Sequence, residues 1–96
     1  MAIQSFDDRV TEEFFFTGRL SRRAGWSAVV NVARRKLDML HYAVRLNDLK
    51  MPPGNRLEAL RGDFRGFFSI RINDQWRIIF RWAPSGPHDV RVTDYH

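Results

Sequence analysis

The apolar residues of this chain change their spacing at the segment MPPGN, residues 51–55. Before this segment they recur every three or four residues, as in an amphipathic helix, and after it they alternate, as in a β-strand. A chain of 96 residues has room for about one hydrophobic core. We therefore predict a single α+β domain over residues 1–96, with two N-terminal helices packed on one face of a small antiparallel sheet.

Two stretches before MPPGN are predicted to be helical, and AIQSF ahead of them is a candidate short strand. In the first, DDRVTEEFFFTGRL, either Asp7 or Asp8 can cap the helix and Gly18 can end it. The second, WSAVVNVARRKLDMLHYAVRL, carries one apolar stripe at spacings of three and four. The stripe comprises Trp26, Val29, Val30, Ala33, Leu37, Leu40 and Val44.

Three segments after MPPGN alternate between apolar and polar residues: GFFSIRI, WRIIFRW and DVRVTDYH. The residues NDQ are predicted to form the turn of a hairpin, PSGP breaks the chain again, and NRLEALRG is a shorter candidate strand. When the strands are aligned at the hairpin, one face of the sheet is apolar, and we expect the helices to cover it. That face carries Phe68, Ile70, Ile72, Ile78, Phe80, Val90 and Val92.

The opposite face of the predicted sheet is rich in arginine. It carries Arg71, Arg77, Arg81, Arg91 and Tyr95. We interpret it as an open surface that attracts an anion, because like charges on one face repel one another. Further arginines lie on nearby segments, at positions 56, 61 and 65 (Arg56, Arg61 and Arg65).

The charge of the whole chain agrees with that interpretation. The formal net charge is +5 and the sequence pI is about 10.7, a range typical of nucleic-acid binders. The arginines are therefore predicted to bind nucleic-acid phosphates. The alternative is a solvated sheet face whose charges prevent edge aggregation, and the acidic residues interspersed along these segments favour it.

The chain ends in VTDYH, which brings a phenol and an imidazole to the C-terminus. RNA cleavage needs a base for the 2′-hydroxyl, an acid for the 5′-oxygen and positive charge beside the phosphorane. His96 could serve as base or acid, with Glu58 as a second proton carrier. Residue type alone favours the alternative, in which Tyr95 is an ordinary sheet residue and His96 a frayed chain end.

Several classes of protein are disfavoured by the sequence. The absence of cysteine excludes a disulfide scaffold, a zinc–cysteine site and a thiol nucleophile. No apolar run could span a bilayer and no signal peptide is recognisable, so we expect a cytoplasmic protein. His41 and His88 lack partners at metal-ligand spacing, no cofactor motif occurs, and Trp76 and Trp82 are predicted to lie in the core.

Most of the chain resembles a known family. The segment KLDMLHYAVRLNDLKMPPGNRLEALRGDFRGFFSIRINDQWRIIFRW, followed by the terminal VTDYH, is similar to the HigB-type toxins of the RelE/ParE superfamily. The most specific parts are PPGNRLEALRGD, SIRINDQWRI and the terminal DYH.

The resemblance implies a fold, an activity and partners. It implies helices packed on an antiparallel sheet, and metal-independent cleavage of mRNA in the ribosomal A site with the 2′-hydroxyl as nucleophile. The expected partners are the ribosome, mRNA and a HigA-type helix-turn-helix antitoxin, with operator DNA contacted only through the antitoxin. It implies no cofactor and no membrane.

Carried over position by position, the resemblance assigns roles to individual residues. Arg61 matches a basic residue near the scissile phosphate, and Arg77, in QWRI, matches an arginine of the active surface. The terminal cluster of the family is matched by Asp94, Tyr95 and His96. Asp94 would then orient a neighbouring group, while Tyr95 would position the RNA or stack on it.

One position departs from the family pattern. Some members have a histidine where this chain has Glu58, and a carboxylate is repelled by RNA where a protonated imidazole is attracted. Glu58 and His96 would share the proton transfers.

Two alternative functions remain open: a ParE-like toxin that poisons DNA gyrase, or an RNA- or protein-binding module whose chemistry has weakened.

Overall fold

The computed structural model describes residues 2–94, in which two helices precede a four-stranded antiparallel sheet. The prediction of an α+β fold built from these elements is confirmed. The predictions for Tyr95 and His96 concern residues outside this described range.

Helix α1 spans Arg9–Thr17, and both of its ends are set by local sequence. The side chain of Asp8 caps the N-terminus by accepting a hydrogen bond of 2.9 Å from the backbone N–H of Thr11. Gly18 ends the helix in the left-handed region, at φ 76°, and its N–H donates to the carbonyl of Phe14. Of the two candidate caps, Asp8 is therefore the one used.

Helix α2 spans Val30–Tyr42, after a short 3₁₀ turn over Ser27–Val29. Its buried apolar side chains are those of Ala33, Leu37 and Leu40, as the stripe predicted. Val44 is the exception: Ala43 turns to extended backbone at ψ 133°, and Val44 is left outside the helix with 66% of its surface exposed. The apolar spacing in the sequence thus extends beyond Tyr42, the residue at which α2 ends.

A buried lysine joins α2 to the sheet. The Nζ of Lys36 donates to the carbonyl of Arg71 at 2.6 Å and to that of Gly54 at 3.3 Å. Burial, together with the charges of Arg35 and Arg71, lowers the pKa of this ammonium group. Lys36 thus connects the helix, the MPPGN loop and the end of a strand that carries a predicted site residue.

The sheet is a meander of strands β1 (Glu58–Ala59), β2 (Phe68–Arg71), β3 (Trp76–Ala83) and β4 (Gly86–Asp94), paired in that order. The predicted strand NRLEALRG is thus limited to two residues. Arg56 before β1 adopts φ 45°, and Gly62–Phe64 form a 3₁₀ turn soon after it, so neither flank is extended. AIQSF forms a single parallel bridge, from Phe6 to Val90, rather than a strand of the sheet.

The pairing of β2 with β3 confirms the predicted hairpin alignment. Ile70 lies opposite Ile78 and Phe68 opposite Phe80, and Ile78 faces Val92 on β4. These side chains pack with those of α1 and α2 in one core. Trp76 and Trp82 are partly buried against that core, in agreement with the prediction.

The N-cap of α1 provides a test of how much one local contact stabilises the fold. We expect Asp8→Ala to lower the free energy of unfolding by about 1 kcal/mol, because it leaves the N–H of Thr11 without its acceptor. Asp38→Ala, on the exposed side of α2, is the matched control and should change it by less than about 0.5 kcal/mol. Urea denaturation measures the free energy of unfolding of both variants. Equal losses of stability would contradict the assignment of Asp8 as the N-cap.

Candidate active site

The sheet face opposite the core carries the predicted site, and we call it the arginine face. It holds Glu58, Phe67, Ser69, Arg71, Arg77, Ile79, Arg81, Arg91 and Thr93. The strand register arranges these residues in rows. Glu58, Ser69, Ile79 and Arg91 form one row across all four strands, and Arg71, Arg77 and Thr93 form the adjacent row.

Each of the four predicted sheet arginines has a carboxylate beside it. Arg77 Nη1 lies 3.9 Å from Glu58 Oε1, and Arg81 Nε lies 3.3 Å from Asp89 Oδ2. The remaining pairs are Arg91 with Asp7, at 3.6 Å, and Arg71 with Asp74. The face therefore does not depend on an outside anion to offset its charge, contrary to our interpretation of the sequence.

The centre of the arginine face is closed to solvent, which the sequence interpretation of an open surface missed. Ile79 and Ser69 are both 0% exposed. Ile79 lies between Arg77 and Arg81 along its own strand and opposite Arg91 on the next. Long arginine side chains can cover apolar surface with their methylene groups, and this arrangement explains why a sheet face without a helix over it still buries an isoleucine.

Arg77 is the most enclosed of these arginines, with 20% of its side chain exposed. Its guanidinium approaches a carboxylate on β1 although its backbone is on β3, so the side chain extends across β2. The residue of β2 that pairs with Glu58 is Ser69, whose small side chain leaves room for this path. Local packing thus holds one cation beside one proton acceptor.

Three polar atoms on this face have no hydrogen-bond partner within residues 2–94: Ser69 Oγ, Arg77 Nη1 and Arg91 Nε. Burying an unpaired polar group costs about 1–3 kcal/mol. The two arginine atoms are donors that are closed to solvent, so an added oxyanion could satisfy them only after the side chains move.

A cleft of about 580 Å³ lies at the β1 edge of this face. Among the described residues it is lined by Glu58, Ala59, Leu60 and Arg61. The structure thus brings the predicted residues Glu58 and Arg61 to one cavity, and Arg77 is the ion-pair partner of Glu58. A volume of this size lies in the range of small-ligand sites.

Arg56 and Arg65 are exposed, one before β1 and one after the 3₁₀ turn that follows it. Arg56 belongs to the same electrostatic neighbourhood as the arginine face. A hydrogen bond from Arg71, and then the charges of Arg71, Arg56 and Arg77, lower the pKa of Asp74. Arg65 is not among the described residues that line the cleft.

Asp94 ends β4 opposite Trp76 and accepts a hydrogen bond of 3.0 Å from Gln75 Nε2. Asp94 therefore lies at the end of the sheet where Arg71 pairs with Arg77. The roles predicted for Tyr95 and His96 remain predictions.

The other histidines have structural contacts. His41 accepts a hydrogen bond from the N–H of Ile3 at 3.2 Å, and the ring of His88 is 2.8 Å from the hydroxyl of Ser85. Within residues 2–94, no group of three or more His, Asp or Glu side chains is placed to hold a metal ion. Neither helix in this part of the chain is long and apolar enough to cross a membrane.

Comparison with known proteins places this arrangement in a family. A family model described as the RelE-like toxin of type II toxin-antitoxin system HigB matches residues 4–96. The chain belongs to the HigB-like toxin family. Toxin HigB-1 of Vibrio cholerae serotype O1 is 42% identical over 83 residues, which are 86% of this chain and 85% of that protein.

Two further proteins are similar to this chain. An uncharacterized protein of Haemophilus influenzae is 41% identical over 56 residues, 58% of this chain and 55% of that protein. A YoeB/ParE toxin from Agrobacterium tumefaciens matches the structure over 100% of both chains, with a TM-score of 0.56 and 18% identity, and so shows the shared fold. A toxin of a type II system implies an antitoxin partner for this HigB-like toxin.

Two buried hydroxyls of this HigB-like toxin differ in whether they are hydrogen-bonded. Thr11 Oγ1 accepts a hydrogen bond of 3.0 Å from Val92 N–H, whereas Ser69 Oγ is unpaired within residues 2–94. We expect Thr11→Val to lower the free energy of unfolding by about 1–3 kcal/mol and Ser69→Ala to leave it within about 0.5 kcal/mol. Similar losses in urea denaturation would show that Ser69 has a partner.

The Arg71–Asp74 pair predicts a pH dependence. Because the folded-state pKa of Asp74 is lowered, its contribution to stability is present above the unfolded-state pKa of about 3.9 and is lost as the pH falls through the folded value. NMR titration should show the pKa of Asp74 rising in Arg71→Gln. In unfolding measurements, the difference between wild type and Asp74→Asn should disappear in acid; an unchanged Asp74 titration would refute the pairing.

Proposed function

We propose that this toxin is a metal-independent endoribonuclease that cuts mRNA on the ribosome in the cytoplasm and so inhibits translation. The observation that carries the proposal is the position of Arg77. Its buried Nη1 has no hydrogen-bond partner within residues 2–94 and lies 3.9 Å from Glu58, beside a cleft that Arg61 also lines. A cation and a proton acceptor are thus held together at a cavity.

The chemistry proposed for this site is attack of the RNA 2′-hydroxyl on the adjacent phosphorus. The P–O bond to the 5′-oxygen breaks, and the products are a 2′,3′-cyclic phosphate and a 5′-hydroxyl. Glu58 and His96 share the two proton transfers, one taking the proton of the 2′-hydroxyl and the other supplying one to the leaving oxygen. Because the ion pair keeps Glu58 close to Arg77, the acceptor lies next to the charge that the phosphorane needs.

The arginines supply that charge. Arg77 and Arg61, helped by Arg71, neutralise the phosphorane, where fixed donors act most strongly because they need no reorganisation. Their forked guanidinium groups match phosphate oxygens geometrically. Further arginines bind neighbouring phosphates and set the register of the strand: Arg56, Arg65 and Arg91.

The remaining assignments concern orientation and partners. Asp94 orients a group of the site, and Tyr95 positions the RNA or stacks on it. The antitoxin is of the HigA type, with a helix-turn-helix domain, and the toxin contacts operator DNA only through it. One domain, residues 1–96, carries the whole activity.

Substitution of Arg77 and Glu58 tests the proposal. Cleavage of mRNA on purified ribosomes, followed under single-turnover conditions, should slow by about 10²–10³ in Arg77→Ala and by about 10²–10⁴ in Glu58→Gln. His96→Gln should also slow it. Arg22→Ala, an exposed arginine in the turn before α2, is the matched control and should cleave at the wild-type rate.

Growth of induced cells separates this proposal from its rivals. Mapped 5′ ends of mRNA should appear with wild type and Arg22→Ala and disappear with Arg77→Ala. Growth arrest by every variant without new 5′ ends would overturn the nuclease proposal. Inhibition of gyrase supercoiling by the purified toxin in that case would identify a ParE-like poison.

A further inference from the structure

Arg81 differs from the other arginines of the face because it lies over an aromatic ring. Its Cζ is 4.4 Å from the ring centroid of Phe67, which precedes β2 on the same face of the sheet. Phe64 supports that ring edge-on, with the centroids 6.0 Å apart and the planes at 86°. Phe67 therefore has a fixed orientation beneath the guanidinium, and cation–π attraction favours the stacked position.

The edge of the same guanidinium faces a carboxylate. Arg81 Nε lies 3.3 Å from Asp89 Oδ2, so part of its charge is offset within the protein. Its position is thus set by a ring below and an acid at its edge, while 52% of its side chain remains exposed. The ring holds the flat surface of this planar group in place, which favours stacking because less conformational freedom is lost on binding.

The location of Arg81 relates it to the proposed cleavage site. Arg81 and Arg77 lie on β3, four positions apart and on the same side of the sheet, which is about 13 Å at 3.3 Å per residue. An RNA strand whose phosphate is held at Arg77 can place a nearby base over Arg81. Single-stranded RNA is commonly bound by bases stacked on aromatic rings or on guanidinium planes.

We propose that Arg81, held on Phe67, is a stacking platform for one nucleobase of the bound RNA. The inference rests on the proposed function, because it assumes that RNA lies across the arginine face. It gives Arg81 a different role from the phosphate contact that the sequence suggested. Stacking accepts any base, so the platform fixes the position of the strand and contributes affinity without reading the sequence.

The test uses the full-length toxin and a short 2′-O-methyl RNA, which binds but cannot be cut because its nucleophile is blocked. A single abasic nucleotide is moved along the RNA, and affinity is measured by fluorescence anisotropy. In the wild type, one abasic position should weaken binding by about 5- to 100-fold. In Arg81→Lys, which keeps the charge but loses the planar group, and in Phe67→Leu, that penalty should fall to about twofold or less.

Two controls make the result specific. Arg34→Lys removes a second stacked arginine, whose Cζ is 5.3 Å from the ring centroid of Phe14 on the helical side, and should keep the full abasic penalty. Arg77→Ala should weaken the binding of every RNA equally, since it removes a phosphate contact, and should therefore also keep the abasic penalty. Circular dichroism and thermal unfolding confirm that each variant is folded.

The outcomes separate this inference from the proposed function. An abasic penalty in the wild type that is lost in Arg81→Lys supports the platform. RNA binding with no abasic penalty, or with a penalty that Arg81→Lys retains, overturns the platform and leaves the nuclease proposal standing. Absence of binding to this RNA by the wild type overturns the platform and leaves the nuclease proposal to be decided by the ribosomal cleavage assay.

Discussion

The antiparallel register between β2 and β3 is the constraint on which the rest of this structure depends. It pairs Ile70 with Ile78 on the core side and, one position along, Arg71 with Arg77 on the other. A slip of one residue would exchange the faces, moving guanidinium groups into the core and isoleucines into solvent. Because Arg77 is placed by this ladder, its side chain can cross β2 only where Ser69 leaves space. A single alternation of apolar and polar residues along these strands thus determines both the fold and the site.

The paired carboxylates give the arginine face a second property. A surface with four bare guanidinium groups would destabilise the folded chain by repulsion, and the acids reduce this cost in the free toxin. Exposed ion pairs of this kind are individually weak, about 0–1 kcal/mol, so a polyanion can displace them. If the face binds RNA as proposed, the affinity should therefore depend strongly on salt, through both counterion release and competition with internal acids.

Local features of the sequence predicted much of this structure. The features that the sequence did not predict depend on tertiary contacts. The cap at Asp8, the helix end at Gly18 and the hairpin alignment follow from spacing and side-chain chemistry within a few residues. The pairing of Asp7 with Arg91 requires the N-terminal segment to dock beside β4, and no local pattern indicates it. The burial of Ile79 was missed for a related reason: alternation marks which side a residue faces but not what its neighbours cover.

The geometry around Glu58 bears on the most unusual residue of the proposed site. A carboxylate beside a phosphate is unfavourable when it is isolated, yet here it is held next to Arg77, and the pair as a unit is nearly neutral. Proton transfer to Glu58 would then release Arg77 from its internal partner at the moment when negative charge develops on the phosphorane. The same event that activates the nucleophile would strengthen the cation that stabilises the transition state, because the neutralised acid no longer competes for the guanidinium. In this arrangement a glutamate can replace a histidine without making the site repel its substrate.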